Sequence, residues 1–266
     1  MTRRTRVRHF GEGWAVRLLA LVVLAFLALP LVALVGSSFN PTPLVQFPPS
    51  GFSLRWYESV LSSRQWLVSI QLSLVVAALT VPTVVVLATL AAYGLFRGRP
   101  KPLLTATFMS PLIVSEVMIG LGLLTYLQGA GVLNTVVGLW LAHTLVTLPF
   151  AIRTVAISVQ GLDPMLERAG QSLGAGPFRV FFTVTLPQLR PGIIAGGVFA
   201  GVLSLGEVAV STFVSGPNTT TVPLRIMSAV QFELDPASAA VSTLLMAVSV
   251  IVMVVLSRWV DISKAF

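Results

Sequence analysis

Long apolar runs with almost no charged residues dominate this chain of 266 residues. An α-helix rises about 1.5 Å per residue, so about 20 apolar residues are needed to cross the hydrocarbon core of a bilayer. Six runs reach that length: 18–39, 72–96, 103–127, 133–152, 192–215 and 237–257. The pattern predicts an all-α polytopic membrane protein with six transmembrane helices, organised as a single membrane domain over residues 1–266.

The residue composition agrees with this class and excludes several chemistries. Hydrophobic residues make up 55% of the chain and charged residues only 10%, whereas about 25% of residues are charged in soluble domains. There is no cysteine, which excludes disulfides, thiolate catalysis and cysteine-ligated zinc. The sequence contains neither a G-x-x-x-x-G-K-[ST] nor an H-E-x-x-H pattern, and no plausible Ser, His and Asp set. We therefore predict a protein that is not an enzyme, has no cofactor or metal, and depends on a separate polypeptide for energy.

Basic residues are distributed unevenly between the loops, and cytoplasmic loops of membrane proteins carry the excess of Lys and Arg. Alternate loops assign 14 of the 17 basic residues to one side and leave Arg55, Arg64 and Arg225 on the other. The 14 are Arg3, Arg4, Arg6, Arg8, Arg17, Arg97, Arg99, Lys101, Arg153, Arg168, Arg179, Arg190, Arg258 and Lys264. Both termini and the loop 153–190 are therefore predicted to be cytoplasmic. Because this charge lies between apolar runs, it does not indicate nucleic-acid binding.

The first apolar run has a second interpretation. Four arginines precede it, as in a secretory signal peptide, but its uncharged length exceeds that of a typical signal-peptide core. We favour an uncleaved membrane anchor.

The segment Leu166–Gly192 is a polar, basic loop between two apolar runs, and its beginning carries the signals of a short helix. Asp163 can accept hydrogen bonds from free backbone N–H groups, Pro164 suits the first helical position, and Gly174 suits the position after the end. These signals predict a helix over Pro164–Leu173. Its apolar face is formed by Met165, Leu166, Ala169 and Leu173. Such a helix could contact another protein or fold against its own bundle.

Prolines divide the rest of this loop. Gly176-Pro177 predicts the start of a second segment. Leu186-Pro187 and Arg190-Pro191 are predicted to break the chain before the fifth apolar run, because proline lacks the backbone N–H that an α-helix uses.

The spacing of residues in this loop resembles that of a known family. Ala169-Gly170, Gly174, Val184, Leu186 and Pro187 are similar to the EAA loop of binding-protein-dependent ABC importer permeases, which have the MetI-like type I fold. The resemblance implies that the loop helix docks in a groove on a cytosolic ATPase. The residues that it assigns to this coupling are Leu166, Glu167, Arg168, Ala169, Gly170, Gly174, Val184, Leu186 and Pro187. This chain departs from the family at the acidic position, where it has Arg168, with Glu167 one residue earlier.

The resemblance also implies a set of partners and a location. These are a second homologous permease subunit, two cytosolic ATP-binding subunits, an extracytoplasmic substrate-binding protein and the lipid of a bacterial inner membrane. The chain itself would then form half of the translocation pathway.

Three further stretches resemble the spermidine/putrescine-type subfamily of these permeases. They are Pro111–Glu116, Ser204–Pro217 and Val222–Ile226. The resemblance implies import of polyamines or a related small amine. A permease for a non-amine solute, such as a phosphonate or a metal complex, stays open.

Two acidic residues lie inside the apolar runs, and both are predicted to reach the middle of the bilayer. An acid at the centre of a membrane helix costs about 3 kcal/mol on the insertion scale unless it faces a polar interior. Glu116 and Glu207 are therefore predicted to line a shared polar translocation path and to favour a cationic amine. They could instead accept hydrogen bonds beside broken helices, or pair with a partner subunit.

Other residues inside the runs have architectural interpretations. His143 is predicted to form a hydrogen bond with a neighbour rather than to bind a metal. Pro82 and Pro111 are predicted to kink the second and third spans. The small-residue pairs Gly192/Gly196 and Gly197/Gly201 are typical of close helix packing, in the bundle or at a subunit interface.

Two other functional classes were weighed against the importer. A secondary transporter could use Glu116 and Glu207 with an ion gradient, but the chain lacks the internal repeat typical of such carriers. A membrane assembly factor would have little use for two carboxylates at mid-bilayer depth.

Overall fold

The computed structural model describes residues 12–42, 47–98, 101–233 and 237–257. Within these ranges every regular element is a helix. The helices are α1 (Glu12–Ser38), α2 (Arg55–Ser62), α3 (Arg64–Phe96), α4 (Pro102–Met109), α5 (Glu116–Gly129), α6 (Val136–Gln160), α7 (Pro164–Ser172), α8 (Pro177–Val180), α9 (Leu186–Gly206), α10 (Ser211–Val214), α11 (Val222–Ser228) and α12 (Ala237–Ser257). A 3₁₀ turn, Ser110–Leu112, follows α4, and π turns cover Phe181–Thr185 and Ala229–Glu233. Some basic residues used to predict orientation lie outside the described residues: Arg3, Arg4, Arg6, Arg8, Arg99, Arg258 and Lys264.

The chain divides into two compact units. One combines Met1–Val60 with Asp235–Thr243, and the other combines Leu61–Leu234 with Leu244–Phe266. In the first unit, the rings of Phe39 and Phe52 stack with 4.8 Å between their centroids. The hydroxyls of Ser38 and Tyr57 share a hydrogen bond of 2.7 Å. These contacts order the chain directly after α1. The organisation of residues 1–266 as a single domain stays a prediction.

The second unit is built on a bundle of α3, α6 and α9. Small and aliphatic side chains form its core: Val84, Ala88, Ala92, Leu95, Ala151, Ile152, Val155, Ala156, Val159, Leu162, Leu189 and Ala200. The glycines of α9 allow close approach on two sides. A Cβ atom added at Gly192 would lie 2.5 Å from Ser158 Oγ on α6, and one added at Gly197 would lie 3.1 Å from Val85 Cγ2 on α3. The small-residue pairs therefore pack within the bundle.

Four helical stretches among the described residues are long and apolar enough to cross a membrane: Val16–Ser38, Arg64–Phe96, Val136–Gln160 and Pro177–Gly206. The third apolar run is broken, since Pro102–Leu112 and Glu116–Gly129 meet at an angle of 96°. If this bent pair is counted as one broken span, the described residues contain five candidate spans. The sixth run coincides with α12, Ala237–Ser257. The bend expected at Pro111 is therefore a full break of the helix. A sixth complete span stays a prediction.

The fourth span is longer than the sequence predicts. Its helix, α6, continues through Arg153 to Gln160, so the loop begins at Gly161 rather than at residue 153. Val155 and Val159 are buried in the bundle core, which holds these extra turns in place, while Arg153 lies on the exposed side. One exposed charge was therefore a poor marker of the helix end.

The predicted breaks before the fifth span are wrong. The chain passes from α8 through the π turn into α9, with Pro187 in the first turn and Pro191 inside the helix. The join is a π turn, in which Leu186 N–H donates to the carbonyl of Phe181, five residues earlier. The helix then ends at Gly206, well before the predicted end at residue 215.

Candidate functional site

The third span is interrupted where Glu116 begins α5. After the 3₁₀ turn Ser110–Leu112, the chain extends at Ser115, and Glu116 is the first residue of the next helix. Its side chain is exposed. A carboxylate at this position lies among free backbone N–H groups of the first turn, whose partial positive charge favours it.

The fifth span is interrupted at Glu207. This residue follows the end of α9 in an extended conformation, with φ of −71° and ψ of 119°. It is 8% exposed, and its Oε1 accepts a hydrogen bond of 2.7 Å from the backbone N–H of Val210. The carboxylate therefore satisfies a donor that the missing helical turn leaves free.

His143 on α6 connects the two sides of this second break. Its Nδ1 lies 2.9 Å from Ser204 Oγ on α9, and its Nε2 lies 3.0 Å from Ser211 Oγ on α10. The imidazole is 1% exposed and uses both nitrogens. The predicted hydrogen bond of His143 is thus confirmed, although the sequence did not reveal its two serine partners, which lie 61 and 68 residues away.

The two breaks lie next to each other in the second unit. The ring of Phe213 on α10 covers Gly120 on α5 so closely that a Cβ atom there would lie 2.4 Å from Phe213 Cδ2. Irregular backbone at membrane depth is tolerated only where protein or a water-filled cavity surrounds it. Glu116 is exposed and Glu207 is buried, and a translocation path shared by the two acids stays a prediction.

The helix predicted in the loop is confirmed as α7, which ends one residue earlier than expected. Asp163 Oδ1 accepts from the backbone N–H of Met165 at 2.8 Å, as a capping residue should. Gly174 has a φ of 83°, a conformation that glycine adopts without strain. Its N–H donates to the carbonyl of Gln171 at 2.9 Å, which closes the end of the helix.

The apolar face of α7 points away from the rest of the chain. Met165 and Leu166 are exposed, and Leu173, directly after the helix, is 89% exposed. Arg168 and Ala169 are also exposed. A helix folded with its apolar face against its own bundle would bury these side chains, so the structure contradicts that alternative.

Other residues assigned to coupling lie inside the loop rather than on its outer face. A Cβ atom at Gly170 would lie 3.3 Å from Val180 Cγ2 and 3.7 Å from Val184 Cγ2. Leu186 and Pro187 are half-buried at the start of α9. These residues hold the loop together and leave the outer face to other side chains.

Glu167, which the resemblance assigns to the coupling set, faces inward. It is 9% exposed and turns toward the bundle. One carboxylate oxygen forms an ion pair with Arg97. The other accepts hydrogen bonds from Thr185 Oγ1 at 2.7 Å and from Tyr93 OH at 3.4 Å. We call Glu167, Arg97, Tyr93 and Thr185 the Glu167 cluster. Its members are far apart in sequence, so no local pattern could have revealed it.

Comparison with known proteins identifies the family. Residues 49–264 match the family described as "Binding-protein-dependent transport system inner membrane component". The chain belongs to this family. The permease is 33% identical over 244 residues to the putrescine transport system permease protein PotI of Escherichia coli, with 88% of this chain and 85% of that protein covered. It is 29% identical to the spermidine/putrescine permease PotC of the same organism, covering 91% and 92% of the two chains.

A third relative is named for the transport of a different solute. The permease is 32% identical over 212 residues to the molybdenum transport system permease protein ModB of Haemophilus influenzae, with 73% of this chain and 92% of that protein covered.

Solved structures show the same fold at low sequence identity. A chain of a bacterial ABC transporter involved in alginate import has a TM-score of 0.74 and 13% identity, covering 97% of this permease and 99% of that chain. A second structure, in complex with a periplasmic protein that holds an alginate pentasaccharide, gives a TM-score of 0.69 at 16% identity, covering 93% and 94%. The type I importer permease fold is thereby confirmed.

Family membership also decides between the functional classes. The chain is a non-catalytic permease subunit of an ABC importer, and ATP hydrolysis belongs to separate subunits. The secondary transporter and the assembly factor are therefore excluded as its role.

Proposed function

We propose that this permease forms half of the translocation pathway of a bacterial inner-membrane importer for putrescine, spermidine or a related small amine. The observation that carries this proposal is the 33% identity to a putrescine permease over 88% of the chain. The molybdenum permease has similar identity but covers only 73% of the chain. The acidic residues at the two helix breaks also suit a cationic solute better than an oxyanion.

The partners follow from the same family relationship. A second permease subunit would complete the pathway, two cytosolic ATP-binding subunits would contact α7, and an extracytoplasmic binding protein would deliver the solute. Exposed apolar side chains on α7 and beside it support an ATPase contact, because a soluble protein rarely leaves such a group uncovered. ATP binding then shifts the population between inward-open and outward-open states.

The excess of basic residues in alternate loops supports an orientation with both termini and α7 in the cytoplasm. In this orientation α7 faces the compartment that contains ATP, and the segment around Arg225 faces outward.

Uptake by the complete transporter tests the amine proposal. Cells that lack their own polyamine importers would express this permease with its partner permease, ATPase and binding-protein subunits, and would receive radiolabelled putrescine, spermidine or molybdate. We expect uptake of at least one polyamine that disappears when this chain or the ATPase is removed. Molybdate uptake without polyamine uptake would contradict the proposal, and so would polyamine uptake that continues without the ATPase.

A further inference from the structure

Only one side chain of α7 is buried, and it is charged. Glu167 is 9% exposed, while its neighbours Met165, Leu166 and Arg168 are all exposed. The helix is therefore attached to the membrane bundle by a polar side chain, and its apolar face is left outward. This arrangement is the reverse of an ordinary surface helix, which buries its apolar face.

Glu167 connects α7 to two membrane helices at once. Arg97 is the residue directly after α3, and its N–H still donates to the carbonyl of Tyr93 in the last turn of that helix. Thr185 is the last residue before α9 and is 0% exposed. One carboxylate oxygen contacts Arg97 and the other contacts Thr185. A displacement of α7 therefore acts on the ends of α3 and α9 together.

The surroundings of Glu167 make this attachment stiff. The side chains of Arg97 and Glu167 are 24% and 12% exposed, so water competes poorly for their ion pair. The ring of Tyr93 packs edge-on against Phe181 at 5.3 Å, which also fixes the side chain whose hydroxyl reaches Glu167. Removing one partner of such a pair leaves the other charge without compensation in a partly buried place.

We propose that Glu167 is a positioning residue that transmits the movement of α7 to α3 and α9, and that it does not contact the ATPase. This inference rests on the proposed function, in which the outer face of α7 binds an ATPase. The two roles are separable because they use opposite sides of one helix. Variants on the outer side alter attachment of the ATPase, and variants in the Glu167 cluster alter the transport obtained for each ATP hydrolysed.

The experiment compares single variants with a charge exchange in the complete transporter, reconstituted in liposomes with its binding protein and radiolabelled putrescine. Arg97→Ala and Glu167→Gln should each retain the ATPase on purification and continue to hydrolyse ATP. Putrescine uptake per ATP should fall about fivefold or more, the lower range of typical coupling between sites. The double variant Arg97→Glu with Glu167→Arg should recover most of the lost uptake, because it restores the ion pair in reverse.

Two controls separate this role from others. Arg153→Ala removes an exposed arginine on α6, outside the Glu167 cluster, and should leave uptake per ATP unchanged. Leu173→Glu places a charge on the outer apolar surface and should release the ATPase. If Leu173→Glu leaves attachment intact, the proposed function fails.

Two results would overturn the role given to Glu167 alone: unchanged uptake per ATP in both single variants, or loss of the ATPase from Glu167→Gln. If the single variants fail to assemble, Thr185→Val decides the question, since it removes one hydrogen bond of the cluster and keeps a side chain of similar shape. We expect reduced uptake per ATP with the ATPase attached, and an unchanged ratio would overturn the inference.

Discussion

At the level of single residues, buried polar side chains hold the irregular backbone of this permease. The imidazole of His143 bonds to hydroxyls on both sides of the break after α9. The carboxylate of Glu207 accepts from the N–H of Val210 in the same break. Because the break removes helical hydrogen bonds from a poorly solvated region, the Glu207 carboxylate replaces a partner that the backbone has lost, while His143 links the two sides through their hydroxyls.

Replacing His143 tests this structural role. His143→Phe keeps a ring but leaves the hydroxyls of Ser204 and Ser211 without their imidazole partner. Each buried polar group left unpaired costs roughly 1–3 kcal/mol, so the free energy of unfolding should fall by at least this amount. The melting temperature of the purified complex in detergent measures the effect. Thr154→Ala, on the same helix, is the control, since within the described ranges its hydroxyl bonds to the Phe150 carbonyl alone. Equal melting temperatures for both variants would contradict the assignment.

The two acids at the breaks are the candidates for recognition of a cationic solute. Glu116→Gln and Glu207→Gln each preserve side-chain shape and remove one negative charge. Putrescine uptake should fall about tenfold, the change produced by losing about 1.4 kcal/mol of attraction. Uptake would be normalised to the amount of permease in the membrane. Glu58→Gln, an exposed carboxylate on α2, is the matched control. Normal uptake by both variants at normal expression would remove these acids from the pathway.

At the level of elements, α7 shows how much of a site local sequence signals can predict. Asp163, Pro164 and Gly174 predicted the helix to within one residue, because capping depends on neighbouring backbone groups. The inward position of Glu167 could not be predicted, since its partner Arg97 lies 70 residues away. The prolines before α9 misled the prediction because Pro187 lies in the first helical turn, where proline is tolerated, and Pro191 lies inside a helix that continues past it.

The end of α7 offers a matched pair of glycines for testing its geometry. Gly174 has a φ of 83° and Gly176 a φ of −66°, and a Cβ atom at either would meet no atom within 4 Å. Gly174→Ala should therefore strain the backbone by about 1–2 kcal/mol, whereas Gly176→Ala should not. We expect Gly174→Ala alone to reduce ATPase attachment or uptake per ATP, and the bulkier Gly174→Leu to do so more strongly. Equal behaviour of the two alanine variants would show that the conformation of Gly174 is unimportant.

At the level of the whole molecule, the sequence predicted the helical class and the positions of the apolar runs, because both follow from helix length and bilayer thickness. It predicted only a kink at Pro111 in the third run, and it offered broken helices beside Glu116 and Glu207 only as an alternative; the structure interrupts both runs there. Hydrophobicity alone cannot show an interruption, since residues on both sides of each break are equally apolar. The orientation of the chain rests on charge counting and can be tested directly.

The absence of native cysteine makes that test simple, because one introduced thiol is the only site that a maleimide can label. Gln171 on α7 and Asn218 before α11 are both exposed, so a cysteine at either position can be reached by the reagent. In intact cells, with the outer membrane made permeable, a membrane-impermeant maleimide should label Asn218→Cys at once. Gln171→Cys should react only after the inner membrane is disrupted. The reverse pattern would place α7 outside the cytoplasm, where no ATPase could reach it, and both the orientation and the proposed coupling would then be wrong.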